Sequence, residues 1–119
     1  MKIVFRNCDV CKNIIWSFND TNVVCCNNDM RVLKENSVDA SFEKHVPNYE
    51  IIDDKININV NHVMEENHYI MWIMMVTDKE IFYKEFVPGD EAKVTFDYKG
   101  KCDIFAYCNL HELWKKEVN

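Results

Sequence analysis

Tyr107-Cys108-Asn109-Leu110-His111-Glu112-Leu113-Trp114 is the stretch around which the rest of the chain is organised. It holds a thiol and an imidazole, Cys108 and His111, with two residues between them and apolar neighbours. A Cys-x-x-His pair is by itself a weak sign of a metal site, because a cysteine in apolar surroundings more often serves as a small core residue. The remaining histidines strengthen the metal interpretation.

The chain has four histidines, and each borders a stretch that is predicted to be buried or to form a turn: His45, His62, His68 and His111. If all four converge on Cys108, the site offers four nitrogens and one sulfur. Structural zinc closes at four ligands, so this set contains one too many. Four imidazoles, one thiolate and an open position suit iron. The sequence therefore predicts a site for one iron, which we name the histidine centre.

Four segments occur in the order and approximate spacing seen in superoxide reductases. They are Glu43-Lys44-His45-Val46-Pro47, His62-Val63-Met64-Glu65-Glu66-Asn67-His68-Tyr69-Ile70, Pro88-Gly89-Asp90 and Cys108-Asn109-Leu110-His111. Near the start, Cys8-x-x-Cys11 and the adjacent pair Cys25-Cys26 resemble the metal ligands of desulforedoxin. Nearly the whole chain thus resembles the desulfoferrodoxins, the two-iron superoxide reductases.

This resemblance implies one-electron reduction of superoxide to hydrogen peroxide, for antioxidant defence, with two irons per chain. In the first, the ligands are Cys8, Cys11, Cys25 and Cys26, which we name the four-cysteine centre. In the second, the histidine centre, the imidazoles are equatorial and Cys108 is axial. Lys44 is expected to draw the anion and Glu43 to close the sixth position in the ferric form. The alternative for each residue is a solvated surface charge, which the sequence alone favours for Glu43. The resemblance also implies a homodimer and a rubredoxin-like electron donor.

Composition limits the other possibilities. A chain of 119 residues, 48% of them hydrophobic, can form one main domain with a small appendage. The net charge of −6 argues against nucleic-acid binding. There is no apolar run long enough to span a membrane, and Met1-Lys2-Ile3-Val4-Phe5-Arg6 is too short and too soon charged for a signal peptide. We therefore expect a cytoplasmic protein, in which six cysteines serve as metal ligands before disulfides.

Residues 1–36 are predicted to be a separate unit. A unit this small cannot fold on an apolar core alone, so it needs a cross-link such as a bound metal. Four thiolates around iron or zinc would provide it; scattered core cysteines are the alternative. Desulforedoxins usually have glycine at the position of Lys12, and Gly-Pro after the cysteine pair, where this chain has Asn27, Asn28 and Asp29. Only two glycines occur, so asparagine is expected to fill left-handed turns.

Residues 37–119 are predicted to form an immunoglobulin-like antiparallel β-sandwich, after a polar linker at 34–44 with at most one helical turn capped by Ser37. Period-two alternation of Ile56, Ile58, Val60 and His62 places the histidine on the buried face at a strand end. Residues 68–76 are apolar at both odd and even positions, as in a central strand that is buried on both faces.

Short turns are predicted at 77–80, 87–90 and 99–101, and their spacing is typical of a sandwich. In the last predicted strand, Cys102, Ile104, Ala106 and Cys108 share one face. Phe105 and Tyr107 lie on the other, so Cys108 is expected to point inward, next to His111 in the following loop.

Two further departures from the family lie beside predicted ligands. Val63 replaces a usual proline and Glu112 a usual glycine. We expect Glu112 to face solvent, because Leu110 and Leu113 are better candidates for burial. Three other functions stay open: a superoxide dismutase, an immunoglobulin-like binding module stapled by inert zinc, and an electron carrier that uses only the four-cysteine centre. Visible absorption from thiolate–iron(III) charge transfer would separate iron from zinc.

Overall fold

The computed structural model describes residues 1–119 and is built almost entirely of antiparallel strands. Contacts divide the chain into two units, Met1–Lys34 and Glu35–Asn119. The only helix has four residues, and no helix is long or apolar enough to cross a membrane. The prediction of an all-β chain is therefore confirmed.

The first unit contains a three-stranded sheet and a small hairpin. The sheet has the order β2-β1-β5, formed by β1 (Val4–Asn7), β2 (Ile14–Ser17) and β5 (Arg31–Val32). The hairpin pairs β3 (Val24–Cys25) with β4 (Asn28–Asp29). The buried apolar side chains of this unit are few: Val4, Phe5, Cys8, Met30 and Leu33. So small a core fits the expectation that a metal holds this unit together.

The second unit begins with the short helix α1 (Phe42–His45) and continues as two antiparallel sheets. The first sheet has the order β10-β7-β6, from β6 (Asn48–Ile52), β7 (Lys55–Asn59) and β10 (Lys93–Asp97). The second has the order β12-β11-β8-β9, from β8 (Ile70–Val76), β9 (Ile81–Glu85), β11 (Cys102–Cys108) and β12 (Glu112–Val118). Strand β8 lies inside its sheet, as its apolar sequence predicts.

A single apolar core lies between these sheets, as the alternation of the sequence predicts. Ile56 and Ile58 of β7 contribute one side, and Ile104, Ala106 and Cys108 of β11 contribute the other. The opposite face of β11 carries Tyr107, which stacks on Trp72 of β8 with ring centroids 5.7 Å apart. This register places Cys108 at the end of a core strand, where the chain turns toward β12.

Several local expectations are wrong. The helical turn lies at Phe42–His45 with Ser41 at its N-cap, rather than near Ser37. Strand β7 ends at Asn59, so His62 lies in the following loop and not at a buried strand end. Leu110 is 57% exposed, since it occupies the tip of the β11–β12 hairpin, whereas Leu113 is buried as expected. Strand β12 itself was not expected, because its sequence alternates poorly.

Candidate metal centres

Four different parts of the second unit supply the histidine centre. Helix α1 ends at His45, the β7–β8 loop carries His62 and His68, strand β11 ends at Cys108, and the next turn carries His111. One potential ligand atom from each of these residues lies within 4.8 Å of all the others. The convergence that the sequence predicts for five distant residues is therefore present in the fold.

The separations between these atoms fit a single metal ion. His45 Nε2 lies 3.1 Å from His111 Nδ1, and Cys108 Sγ lies 3.4 Å from His62 Nε2. Two nitrogens that bind one metal at about 2.1 Å and at right angles are about 3 Å apart. Cys108 Sγ lies 3.8 Å from His111 Nδ1, and this separation would shorten slightly when a metal binds.

The hydrogen bond that one ring nitrogen makes decides which nitrogen each histidine can offer to a metal. His45 Nδ1 is 2.7 Å from the carbonyl oxygen of Ser41, and His62 Nδ1 bonds the carbonyl oxygen of Val63. Each ring thus donates through Nδ1 and keeps Nε2 free as a ligand, the usual arrangement at metal sites. His68 Nε2 is buried and has no hydrogen-bond partner. A buried polar atom without a partner is costly, and a metal ion would satisfy it.

Burial also changes the pKa values of the residues that form the site. It lowers the pKa of His45 and of His62, and the neighbouring imidazoles lower both further. Both rings are therefore neutral donors at pH 7. Burial raises the pKa of Cys108, although the backbone N–H groups of Leu110 and His111 act against this shift. Without a cation the residue is a thiol, and a bound metal would hold it as a thiolate.

Two residues that the sequence analysis did not single out support the ligands. Asn109 donates from Nδ2 to the carbonyl oxygen of Asn67 and accepts from the N–H of Tyr69, which joins the Cys108 turn to the His68 loop. Trp114 is fully buried and stacks on His45 with centroids 4.8 Å apart. Both belong to the motif that opens the sequence analysis. Their short distance in sequence from Cys108 and His111 was the signal that could have identified them.

Glu43 and Lys44 lie on α1, directly before His45, and both are exposed. The charge of Lys44 is one of the causes of the lowered pKa of His45, so it acts at the site electrostatically. Glu43 does not belong to the group of converging ligand atoms. Lys44 is thus close enough to influence a ligand through its charge, and the roles expected for both residues stay predictions.

The four-cysteine centre is formed by two turns of the first unit. Cys8 and Cys11 follow strand β1, while Cys25 and Cys26 lie at the turn of the β3–β4 hairpin. Their sulfur atoms all lie within 4.8 Å of one another, and Cys11 Sγ is 3.7 Å from Cys25 Sγ. Four thiols in this arrangement can hold one tetrahedral metal ion.

These thiols differ in acidity. The backbone N–H of Cys11, 3.4 Å from Cys8 Sγ, is the main cause that lowers the pKa of Cys8 to about 7. Hydrogen bonding with the Cys11 thiol is the main cause that raises the pKa of Cys25 to about 12, and it raises that of Cys26 as well. Cys8 is therefore the first of these three to become a thiolate.

Comparison with known proteins agrees with this geometry. The sequence model of one family, Desulfoferrodoxin, matches residues 37–117. The chain is 40% identical over 116 residues to the desulfoferrodoxin of Desulfarculus baarsii, with 92% of each chain covered. This chain belongs to the desulfoferrodoxin family.

Solved structures of superoxide reductases have the same fold as this chain. The superoxide reductase from Treponema pallidum is 26% identical to this chain. The two structures superpose with a TM-score of 0.78 over 98% of this chain and 99% of the other. The one-iron superoxide reductase of Giardia intestinalis, 26% identical, covers 65% of this chain and 98% of its own, with a TM-score of 0.57. The fold expected from the resemblance is thus confirmed.

The departures from the family's glycines lie where the backbone is left-handed. Lys12 has a φ of 68°, Asn27 of 61° and Glu112 of 65°. Asn36 also has a positive φ, which confirms that asparagine fills left-handed turns in this glycine-poor chain, and Asp53 does the same. Lysine and glutamate tolerate this conformation less well, so two turns beside predicted ligands are strained.

Proposed function

We propose that the protein is a superoxide reductase whose reaction takes place at an iron held by His45, His62, His68, His111 and Cys108. Superoxide takes up one electron and two protons and becomes hydrogen peroxide, and an external donor replaces the electron. The observation that carries this proposal is the convergence of five ligand atoms, one of them the buried, unpartnered His68 Nε2. Membership of the desulfoferrodoxin family supports it.

The donor set suits iron better than structural zinc, since five ligands exceed a closed tetrahedron and leave one octahedral position open. An iron bound there would supply one electron to superoxide, and the Cys108 thiolate would favour that transfer by raising electron density. Cys108 is fully buried, whereas His62, His68 and His111 are half-buried. Superoxide would therefore reach the centre from the side of the half-buried imidazoles rather than past the buried sulfur.

Lys44 is proposed to attract the anion. A chain with a net charge of −6 repels superoxide on average, so a local cation at the rim would offset this repulsion. Its ammonium group also orders water, from which the product can take protons. Glu43, its neighbour on α1, is proposed to close the open position when the iron is oxidised, which would require its side chain to turn inward.

The second iron is proposed to lie in the four-cysteine centre, and a rubredoxin-like protein to be the electron donor. We also propose a cytoplasmic homodimer. The exposed apolar side chains of Tyr49, Ile51 and Ile52 on edge strand β6 support self-association, because an unpaired edge of this kind is a ready template for another strand.

The iron content and two cysteine variants test the proposed function. Protein purified without oxygen is expected to hold two irons per chain and, once oxidised, to show a thiolate-to-iron(III) band. Cys108→Ser should remove the band of the histidine centre and most of the reaction with superoxide. Cys102→Ser is the matched control, because Cys102 is buried on the same face of β11 but lies outside the ligand group.

Less than one iron per chain after reconstitution, with zinc in both centres, would instead favour the zinc-stapled binding module. Reaction with superoxide that survives Cys108→Ser would place the chemistry outside the histidine centre. Two irons per chain without any reaction with superoxide would leave the electron-carrier alternative. Equal oxidation and reduction of superoxide, without a donor, would indicate a dismutase.

A further inference from the structure

Three aromatic rings lead from the protein surface to one ligand of the histidine centre. Phe42 is 55% exposed, and its ring meets the ring of Trp114 edge to face, with centroids 5.3 Å apart. Trp114 is fully buried and stacks on His45, with centroids 4.8 Å apart and an interplanar angle of 28°. We name Phe42, Trp114 and His45 the aromatic path.

Local structure fixes each of these rings. Phe42 precedes His45 by three residues in α1, so both side chains lie on one face of the helix. Trp114 lies opposite Ala106 in the β11–β12 ladder. The indole Nε1–H donates to the carbonyl oxygen of His111 at 3.0 Å, so Trp114 contacts two of the ligand residues. Its ring is thus held in place by packing and by a hydrogen bond.

Trp114 also shields one ligand residue of the centre from water. His45 is buried, whereas the other three histidines are half-buried and border the side from which a small anion can approach. The indole ring covers His45 and excludes water from its face. An electron can cross these contacts, but superoxide cannot.

We propose that the aromatic path carries electrons from the external donor to the histidine centre, with Phe42 as the point of contact. The proposal rests on the proposed function. In each transfer the donor is oxidised by one electron and the ferric centre is reduced by one, while no bond is formed or broken. The partner is the rubredoxin-like electron donor proposed above. Phe42 suits such a partner, because it is an exposed aromatic ring beside the charged Glu43 and Lys44.

The first experiment mixes oxidised protein with reduced rubredoxin in the absence of superoxide. Reduction of the histidine centre is followed by loss of its iron(III) band. Phe42→Ala should lower the second-order rate constant about tenfold, as expected for an aromatic anchor of a contact, and Phe42→Tyr should restore it. Val87→Ala is the matched control, since Val87 is also 55% exposed but lies outside the path. Equal rates in Phe42→Ala and in the control would overturn the proposal.

Two substitutions of Trp114 separate a path from simple support of the ligands. Trp114→Phe keeps an aromatic ring and loses the hydrogen bond to His111, whereas Trp114→Leu loses both. At saturating rubredoxin, Trp114→Leu should slow the limiting rate far more than Trp114→Phe, with the midpoint potential the same in both. Equal slowing, with equally shifted potentials, would assign Trp114 to support alone. If Trp114→Leu does not retain iron, the Phe42 variants decide the matter.

A parallel measurement keeps the two proposals apart. Reduced wild-type protein is mixed with superoxide by pulse radiolysis, a step in which no carrier takes part. If superoxide oxidises the reduced protein rapidly, and Phe42→Ala does not change the rate of reduction by rubredoxin, the path is rejected and the proposed function stays intact. No oxidation by superoxide would reject the proposed function itself, whatever the rubredoxin rates.

Discussion

Glu112 lies opposite Cys108 in the β11–β12 ladder and has a φ of 65°. The chain must reverse direction over Asn109, Leu110 and His111 while it keeps His111 beside Cys108. A left-handed residue at the end of such a short hairpin loop makes this reversal possible. Any residue with a β-carbon is strained there by roughly 1 kcal/mol, which explains why the family usually has glycine.

Glu112→Gly should therefore stabilise the second unit by about 0.5–1 kcal/mol, and raise its melting temperature by roughly 2–5 °C. Glu112→Ala is the control, because it removes the carboxylate but keeps the strain. Thermal unfolding followed by circular dichroism measures both. The ferric/ferrous potential should stay nearly unchanged in Glu112→Gly. An equal gain in both variants would assign the effect to the carboxylate rather than to φ.

Lys44→Ala should lower the bimolecular rate with superoxide about tenfold at low ionic strength and leave the iron(III) band unchanged, because the lysine contributes charge and not ligation. The effect should shrink as salt is added, and Lys44→Arg should restore most of the rate. Pulse radiolysis over a range of ionic strength measures this. Lys79→Ala provides the comparison, since Lys79 is exposed in the turn at the far end of β8. Equal rates in the two alanine variants would show Lys44 to be an ordinary surface charge.

Cys11→Ser should abolish the spectrum of the four-cysteine centre and leave superoxide reduction largely intact when an artificial donor is supplied. The reason is that the two ligand groups share no residue and belong to different units of the chain. Absorption spectra and iron content of the variant are the measurements. Loss of iron from the histidine centre in this variant would show that the two centres depend on each other.

Metal binding by the four-cysteine centre should strengthen steeply with pH. Cys25, with a pKa of about 12, and Cys26, with a raised pKa, are protonated at pH 7–9, so each releases a proton when metal binds. Each released proton makes the affinity rise about tenfold per pH unit, so at least about 100-fold per unit is expected over this range. Below pH 7, Cys8 adds a further proton, because its pKa is about 7. Zinc competition with a coloured chelator at several pH values tests this, and a slope below tenfold would contradict it.

The sequence predicts most of the second unit because its core strands alternate or are uniformly apolar. Ile56, Ile58, Ile104, Ala106 and Cys108 take the faces that this periodicity assigns to them. All nine residues of the two converging groups could also be chosen in advance, since cysteine and histidine are scarce and their spacing resembles a known family.

Other features depend on contacts that no local pattern contains. Strand β12 is fixed by its pairing with β11 and not by its own alternation. The ring nitrogen that His45 offers depends on where the carbonyl oxygen of Ser41 lies, and this requires the helix at its observed position. Trp114 resembles any core aromatic residue until the fold brings it onto His45.

The short distance between Cys11 Sγ and Cys25 Sγ, 3.7 Å, has a cost when the metal is absent. Two thiols so close need little movement to form a disulfide, and both lie at a partly open surface. Hydrogen peroxide, the product of the proposed reaction, can oxidise them. Demetallated protein stored in air should then form a disulfide that prevents iron from binding again. Only treatment with a thiol reductant before iron is added should restore the four-cysteine centre.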